Sequence, residues 1–256
     1  NDVSIYEGAI IGQECTLNEN CIIKPGSKIW PGKKIEEGAV LKDNLVWGTK
    51  LSRSLFGSNG IKGQLNIDLY MGQILQIGSA FGSTINSSLG KIGISSDGTV
   101  ASKTVKQALT TGLQIVGQQV YDLGKLTLPI CRFTVNKGNL DGGIYVQFSP
   151  EDNFIRITFL NAQGANISKG LEKKIENAFN SDDFRYVPHE KIKDIIVLEK
   201  IYDFYFESLR NYIKVKLDFE VILTCPSNRL SQSIGNLLKD LGCVVNVVGE
   251  EEFAAF

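Results

Sequence analysis

Aliphatic residues recur at every sixth position through the first fifty residues of the chain. They are Ile5, Ile11, Leu17, Ile23, Ile29, Ile35 and Leu41. A period of six fits neither the 3.6 residues per turn of a helix nor the simple alternation of a strand. It is typical of a triangular coil in which each six-residue unit supplies one short strand and one corner, with the aliphatic side chain inside. The repeat predicts a short left-handed β-helix over residues 1–48, with glycines at its tight corners.

The repeat also predicts that this coil is incomplete. Seven units make little more than two coils, and a solenoid needs about three or more repeats to bury a continuous core. The first residue, Asn1, falls inside a repeat that is already under way. We therefore expect the missing part to come from preceding residues or from another subunit in a homo-oligomer.

Composition limits the partners of the chain. Its 256 residues suggest about two domains, and the formal net charge of −1 gives no electrostatic footprint for nucleic acid or an anionic membrane surface. No apolar run reaches the roughly 18 residues that cross a bilayer, and no signal segment opens the chain. The five cysteines lack the close spacing of a disulfide framework or a zinc site, so we expect reduced thiols in a cytoplasmic protein. The only histidine, His189, lies in a polar connector and is expected to be solvated.

The pattern changes after residue 50 to helices that alternate with strands. The predicted helices are 66–81, a second capped by Ser102 and a third capped by Ser168. The predicted strands are 91–94, 119–123, 143–148 and 154–160. This alternation predicts an α/β layer with a mixed sheet, whose ligand sites lie in loops beyond the strand ends.

The last third of the chain predicts a long helix and a β-α-β unit. The helix is predicted over 195–213, followed by a strand at 219–225, a helix from Asn228 to Gly242 and a strand at 243–248. Glu250, Glu251 and Glu252 would point to alternate faces of an extended strand, so we expect a solvated acidic end rather than a metal site.

Three segments in order resemble domain I of the phosphoglucomutase/phosphomannomutase family. They are residues 55–63 (LFGSNGIKG), residues 120–124 (VYDLG) with Pro129 after them, and residues 142–149 (GGIYVQFS). The resemblance extends over about residues 50 to 250. It implies domain I at 49–190, then a linker helix and the beginning of domain II at 191–256.

The resemblance also implies a phosphoryl-transfer site. Ser149 would be the phosphoserine that exchanges its phosphoryl group with a hexose phosphate, and once phosphorylated it would be a metal ligand. The turn formed by Gly57, Ser58, Asn59, Gly60 and Lys62 would bind phosphate, since backbone amides in glycine-rich turns can cradle an anion. Mg²⁺ is expected for a complete family member but not in this chain, because the aspartate loop that holds it would lie later in domain II.

Departures from the family pattern predict an eroded site. The family reads Ser-His-Asn-Pro where this chain has Ser149-Pro150-Glu151-Asp152, which places two acidic groups where phosphate must be stabilised. Residues 95–99 lack both arginines of the family's Gly-Arg-Asp-x-Arg loop, and Lys62 replaces an arginine without its two-pronged donor geometry. Ser149 as a plain turn residue and Lys62 as a solvated lysine remain alternatives.

The coil carries a second resemblance. Residues 29–32 (IWPG) and 35–39 (IEEGA) resemble the C-terminal β-helix of nucleotide-sugar pyrophosphorylases such as mannose-1-phosphate guanylyltransferases. This implies an upstream nucleotidyltransferase domain in the same protein. The glycine-rich signature of that domain is absent here, so the chain cannot itself be the nucleotidyltransferase.

Three functions follow from these patterns. The first is a fused sugar-nucleotide pathway protein. Its mutase-like region would bind hexose phosphates weakly or act as a regulatory and structural module. The second is a working phosphohexomutase with Ser149 as nucleophile. The third is a structural module in which the coil drives oligomerisation.

Overall fold

The computed structural model describes residues 2–42, 44–45, 50–51, 54–85, 90–213, 215–225 and 228–248. The chain divides into two compact units, Asn1–Val197 and Leu198–Phe256. The predicted boundary after residue 48 and the acidic end at Glu250 to Glu252 lie outside the described residues.

Short strands in the first fifty residues stack with the period of the sequence. They are β1 (Ser4–Ile5), β2 (Ile10–Ile11), β3 (Thr16–Leu17), β4 (Ile22–Ile23), β5 (Lys28–Ile29), β6 (Lys34–Ile35), β7 (Val40–Leu41) and β8 (Lys50–Leu51). Every third strand joins one parallel sheet, in the orders β1-β4-β7, β2-β5 and β3-β6-β8. Ser4 lies opposite Ile22, and Ile22 lies opposite Val40, so the strands of this sheet pair in register.

The burial of the aliphatic side chains in this stack increases toward its C-terminal end. Ile23 and Ile35 are fully buried, whereas Ile5 is 52% exposed and Ile11 is 37% exposed. The aliphatic side chains of β1 and β2 are therefore less covered than those of β4 and β6.

A six-stranded mixed sheet forms the centre of the first unit, as the alternating pattern predicts. Its six strands are β9 (Ile61–Gly63), β10 (Lys91–Ser96), β11 (Gln119–Lys125), β12 (Gly142–Ser149), β13 (Phe154–Asn161) and β14 (Ile196–Val197). The spatial order is β14-β11-β10-β12-β13-β9. The first four strands in this order are parallel, and β13 is antiparallel to both of its neighbours.

Four helices cover this sheet: α1 (Met71–Thr84), α2 (Val100–Ile115), α3 (Leu128–Lys137) and α4 (Lys169–Ser181). Helix α1 packs against both α2 and α4. The α1–α2 contact is close because Gly112 allows it, since a Cβ there would lie 2.1 Å from the Leu75 carbonyl oxygen. The core beneath these helices includes Phe81, Leu109 and Phe159.

The second unit is smaller. It contains α5 (Ile201–Tyr212), β15 (Glu220–Leu223), α6 (Asn228–Asp240) and β16 (Val244–Val247), and its two strands pair in parallel. The predicted β-α-β unit is confirmed, with Gly242 in a positive-φ conformation after α6. No described helix is long and apolar enough to span a bilayer.

Two predicted helices begin in the wrong place. Helix α1 starts at Met71 rather than at residue 66, because the Gln64 carbonyl accepts the amides of Ile67, Asp68 and Leu69 in a turn. The predicted helix over 195–213 is interrupted: Ile196 and Val197 pair with β11, and Lys200 at φ +58° separates this strand from α5.

Two other local predictions also change. Thr99, not Ser102, caps α2, and its hydroxyl oxygen accepts the Ser102 amide at 3.3 Å. Pro129 lies in the first turn of α3, where proline is tolerated because the missing N–H has no helical partner there. The cap of α4 at Ser168 is confirmed.

All five cysteines are free thiols, and Cys21, Cys131 and Cys243 are buried. His189 lies in a short 3₁₀ turn with its side chain 87% exposed and its Nε2 3.4 Å from Glu190 Oε1.

Candidate functional site

The carboxyl ends of β10 and β12 meet where the sheet topology reverses. From β10 the chain continues through α2 to β11 on one side, and from β12 it continues as a hairpin into β13 on the other. In open α/β sheets the crevice beyond such a switch point is the usual ligand site. Ser149 is the last residue of β12, and Asp97 follows β10 directly, so both border this crevice.

Asp97 fixes the end of the strand that presents Ser149. Its Oδ2 accepts the Phe148 amide at 2.7 Å, and its own amide donates to the Val146 carbonyl at 3.0 Å. Its Oδ1 accepts the amide and the hydroxyl of Thr99, each at 2.9 Å, and the hydroxyl of Ser102. One carboxylate therefore ties the beginning of α2 to the residue before Ser149.

Ser149 lies on the sheet face that points away from α1 and α4. Ile155, Ile157 and Phe159 belong to the core under these helices, so the alternate side chains of β13 point to the other face. The register places Ser149 opposite Phe154 on this other face. One row further along, Gln147, Arg156 and Lys62 lie side by side across β12, β13 and β9.

Two cations of this row are direct cross-strand neighbours. Arg156 and Lys62 are opposite each other, and like charges in such positions destabilise a sheet. Arg156 is exposed and has no hydrogen-bond or ion-pair partner among the described residues. An arginine and a lysine held together in this way favour an anion between them, and phosphate is the anion that such donors match best.

Lys62 is partly neutralised by the hairpin after Ser149. Its Nζ lies 3.2 Å from Asp152 Oδ2 and 4.4 Å from the centre of the Phe154 ring. The two side chains of the ion pair are 41% and 54% exposed. An ion pair this exposed is weak and exchanges readily with an incoming anion.

The glycine turn lies further from Ser149 than Lys62 does. The Gly57 amide donates to the Gly60 carbonyl at 2.8 Å, and Gly60 at φ +101° presses on β13, since a Cβ there would lie 2.2 Å from the Ile157 oxygen. Ile157 is three residues beyond Phe154, the partner of Ser149, which is roughly 10 Å along the strand. The structure thus brings Lys62 to the Ser149 hairpin but not Gly57, Gly60 or the exposed Ser58 and Asn59.

A cavity of about 250 Å³ adjoins Lys62 on the side of the repeat segment. Lys42, Ser54 and Gln73 contribute polar atoms to its lining. The buried hydroxyl of Tyr70, also in the lining, has no partner among the described residues.

Sequence reasoning missed Asp97 and Arg156 as site residues. Arg156 stands in the alternation of the predicted strand 154–160, on the face opposite to the core, and this placement is a usable signal. Residues 95–99 lack the arginines of the family's loop, and this departure hides the role of the Asp97 carboxylate in the sequence. Its position two residues before Thr99 and five before Ser102 is typical of a carboxylate that bonds the start of a helix.

The described residues do not form a Mg²⁺ site. No group of three histidine, cysteine, aspartate or glutamate side chains among them could hold a metal ion. Mg²⁺ requires near-octahedral oxygen ligation. Both carboxylate oxygens of Asp97 are engaged by backbone amides and by hydroxyl groups.

Comparisons with known proteins show the family of the chain. A family model described as phosphoglucomutase/phosphomannomutase, alpha/beta/alpha domain I, matches residues 53–186. A phosphoglucosamine mutase of Caldicellulosiruptor saccharolyticus is 29% identical over 205 residues, covering 77% of this chain and 45% of the relative. A phosphoglucomutase/phosphomannomutase of Thermococcus kodakarensis is 29% identical over 201 residues, covering 75% and 43%.

Solved structures show the same fold. A phosphoglucomutase/phosphomannomutase family protein from Burkholderia thailandensis superposes with a TM-score of 0.62 at 20% identity, covering 77% of this chain and 44% of that one. The chain spans less than half the length of the relatives that it matches. Because the family model matches more than half of its residues, the chain belongs to the phosphoglucomutase/phosphomannomutase family.

Proposed function

We propose that this chain supplies the serine-presenting and hexose-phosphate-binding part of a phosphohexomutase. The observation that carries the proposal is the row of Arg156 and Lys62 beside the strand end at Ser149. In the proposed reaction, the phosphoryl group of phosphorylated Ser149 passes to a hydroxyl of a hexose monophosphate, and the serine hydroxyl regains a proton. The hexose bisphosphate then returns its other phosphoryl group to Ser149 and leaves as the isomeric monophosphate.

The cations of the row would offset the charge of the moving group. Phosphoryl transfer leaves little covalent work for the protein, so positioning and electrostatic stabilisation dominate. Arg156 has no partner within the described residues, and the exposed contact between Lys62 and Asp152 can open. Asp97 would hold the strand end so that the Ser149 hydroxyl stays in place.

The acidic hairpin after Ser149 favours binding of a hexose phosphate over rapid phosphoryl transfer. Glu151 and Asp152 are exposed acidic residues two and three positions beyond the serine, and they would repel a phosphoryl group arriving there. We therefore infer slow transfer or a regulatory role in hexose-phosphate binding, and an active mutase is the second candidate.

The first experiment is the intact mass of the chain after incubation with glucose 1,6-bisphosphate. One added phosphoryl group that disappears in Ser149→Ala identifies Ser149 as the acceptor. A bare Ser149 excludes the active mutase but leaves binding open. Calorimetric titration with glucose 6-phosphate tests binding itself: the Lys62→Ala/Arg156→Ala variant is expected to lose one binding event, and Lys173→Ala/Lys174→Ala is the charge-matched control on exposed positions of α4. An unchanged titration of the Lys62→Ala/Arg156→Ala variant contradicts the proposal.

For residues 1–48 we propose a left-handed β-helix that continues an upstream nucleotidyltransferase module or stacks on a second copy, followed by domain I at 49–190 and the start of domain II at 191–256. The in-register stacking of every third strand and the exposed Ile5 and Ile11 support this arrangement. Light scattering of the chain and of Ile5→Lys/Ile11→Lys tests the second copy. If both samples have the monomer mass, oligomerisation through the coil is excluded.

A further inference from the structure

The cavity of about 250 Å³ beside the repeat segment is a space separate from the crevice at Ser149. Leu45 lines it from the repeat segment, Ile61 from β9, Ile77 from α1 and Phe179 from α4. Ile61 and Ile77 belong to the core beneath the helices, so the cavity lies on the sheet side that α1 and α4 cover. Ser149 points to the other side.

The hydroxyl of Tyr70 lies in the lining of this cavity without a hydrogen-bond partner. Its oxygen is buried, and no group among the described residues bonds to it. The backbone of Tyr70 is held at the start of α1, because its amide donates to Gln73 Oε1 at 3.1 Å. A buried hydroxyl without a partner costs stability, and native proteins usually complete such a group with a water or a ligand.

Two side-chain amides in the lining are also available. Gln73 uses its Oε1 for the Tyr70 amide, and its Nε2 has no partner among the described residues. Asn180, near the end of α4, makes no side-chain hydrogen bond within the part of the chain that the structure describes. One hydroxyl and two amides therefore offer both donors and acceptors to a ligand.

The cations of the lining are already paired. Lys42 Nζ lies 2.9 Å from Asp182 Oδ1, and Lys62 Nζ lies 3.2 Å from Asp152 Oδ2. Asp68 adds a carboxylate to the lining. An anion in the cavity would meet neutralised lysines and a like charge, so we expect an uncharged ligand.

Aliphatic side chains in the lining favour a planar ligand over a sugar. Leu45, Leu55, Ile61, Leu69 and Ile77 contribute them. A sugar carries hydroxyl groups on all sides and would leave several of them unpaired against these side chains. A nucleobase has two apolar faces and a polar edge, and glutamine and asparagine amides bind such an edge through donors and acceptors together.

We propose that this cavity binds a purine base, either free or as part of a nucleoside. The base lies among the aliphatic side chains, with its polar edge against the Tyr70 hydroxyl and the amides of Gln73 and Asn180. The cavity volume corresponds to the share of about eight water molecules in the liquid, which is room for one bicyclic base. A bound base contacts the repeat segment, α1 and α4 at once.

The test is calorimetric titration of the whole chain with adenine, adenosine and guanosine, with cytidine and glucose as further probes. Tyr70→Phe removes only the hydroxyl oxygen and is expected to weaken purine binding about threefold to tenfold, because one hydrogen bond is lost. Gln73→Glu keeps the oxygen that accepts the Tyr70 amide but lacks the amide donors, so it is expected to weaken binding as well. Tyr186→Phe, at a tyrosine that is 60% exposed, is the matched control and should leave the affinity unchanged. Tighter binding of adenine than of adenosine identifies the free base, and the reverse order identifies the nucleoside.

The proposal is overturned if no purine compound binds at millimolar concentration, or if neither Tyr70→Phe nor Gln73→Glu weakens the binding. Equal affinity for cytidine contradicts the assignment to purines, and equal affinity for glucose contradicts the argument from planar shape. Thermal unfolding without a ligand is the second measurement: Tyr70→Phe should unfold at the temperature of the wild type or above it, since its hydroxyl has no partner to lose. A lower unfolding temperature would show that the hydroxyl is already bonded and would contradict the proposal. Purine binding is measured without glucose 6-phosphate, so it can hold even if the proposed function fails.

Discussion

The carboxylate of Asp97 accepts the amide of Phe148 at 2.7 Å, one residue before Ser149. The same side chain also accepts from Thr99 and Ser102 at the start of α2. The position of the serine therefore depends on a loop that follows a different strand and lies 51 residues before Phe148 in the chain.

Replacing Asp97 by alanine should lower the free energy of unfolding by about 1 to 3 kcal/mol, because several partly buried donors lose their shared acceptor. Asp97→Asn keeps the shape and one acceptor oxygen, so it should cost less. Urea denaturation of the three proteins measures the difference. Equal stability of wild type and Asp97→Ala would show that the network does not hold the strand end.

Gly60→Ala should destabilise the edge of the sheet by at least about 2 kcal/mol. The residue has φ +101°, and the added Cβ would collide with the Ile157 carbonyl oxygen. Gly72→Ala is the matched control, since nothing lies within 4 Å of its Cβ position and alanine is favoured in a helix. Thermal unfolding should separate the two, with Gly60→Ala lower and Gly72→Ala equal to or higher than wild type. The opposite order would contradict the close packing of β9 on β13.

Alkaline pH should destabilise the first unit through Cys131. Burial raises the pKa of its thiol to about 12, from about 9 when exposed. The folded state thus keeps the proton while the unfolded chain loses it, so this stabilisation is complete below pH 9 and is lost as the pH rises toward 12. The slope in that window is about 1.4 kcal/mol per pH unit. Urea titrations at several pH values should show a shallower decline in Cys131→Ala, whereas parallel curves would rule the thiol out.

Lys42 should hold the repeat segment on the end of α4. Its ammonium donates to the Phe179 carbonyl, lies 2.9 Å from Asp182 Oδ1 and 4.9 Å from the centre of the Phe179 ring. A cation at the C-terminus of a helix is stabilising, by up to about 2 kcal/mol when partly buried. Lys42→Ala should therefore speed amide hydrogen exchange in the last turn of α4 about tenfold, a change of about 1.4 kcal/mol. Lys174→Ala, on an exposed face of α4, should leave the exchange rates of those amides unchanged. Equal effects of both variants would show that Lys42 does not hold the repeat segment on α4.

Much of the fold could be predicted from the sequence, because strand alternation and helix caps depend on residues that are close together in the chain. The strand at 154–160 was predicted from alternation, and the start of α4 from the cap at Ser168. Predictions failed where local patterns compete. Asn66 adopts φ +63°, a left-handed conformation that places it in a turn before the helix. Hydrophobic spacing alone cannot distinguish such a turn from the first turn of a helix. Residues 195–213 look helical throughout, but Ile196 and Val197 gain more from pairing with β11.

The site was predictable only in part, for a related reason. Ser149 could be placed at a strand end because the strand itself is plain in the sequence. The cationic row could not, because it depends on the pairing of the three-residue strand β9 with β13. Such a short strand leaves no periodic signal, and its register is fixed by tertiary packing around Gly60.

The edge strand β9 also sets an order of events. Among the described strands it pairs with β13 alone, which follows roughly ninety residues later along the chain. During synthesis Lys62 emerges long before Arg156, so the first strand of this sheet to leave the ribosome cannot pair until the fifth, β13, has followed it. Until the hairpin after Ser149 has formed, the cationic row does not exist, and a nascent chain cannot hold a phosphate there.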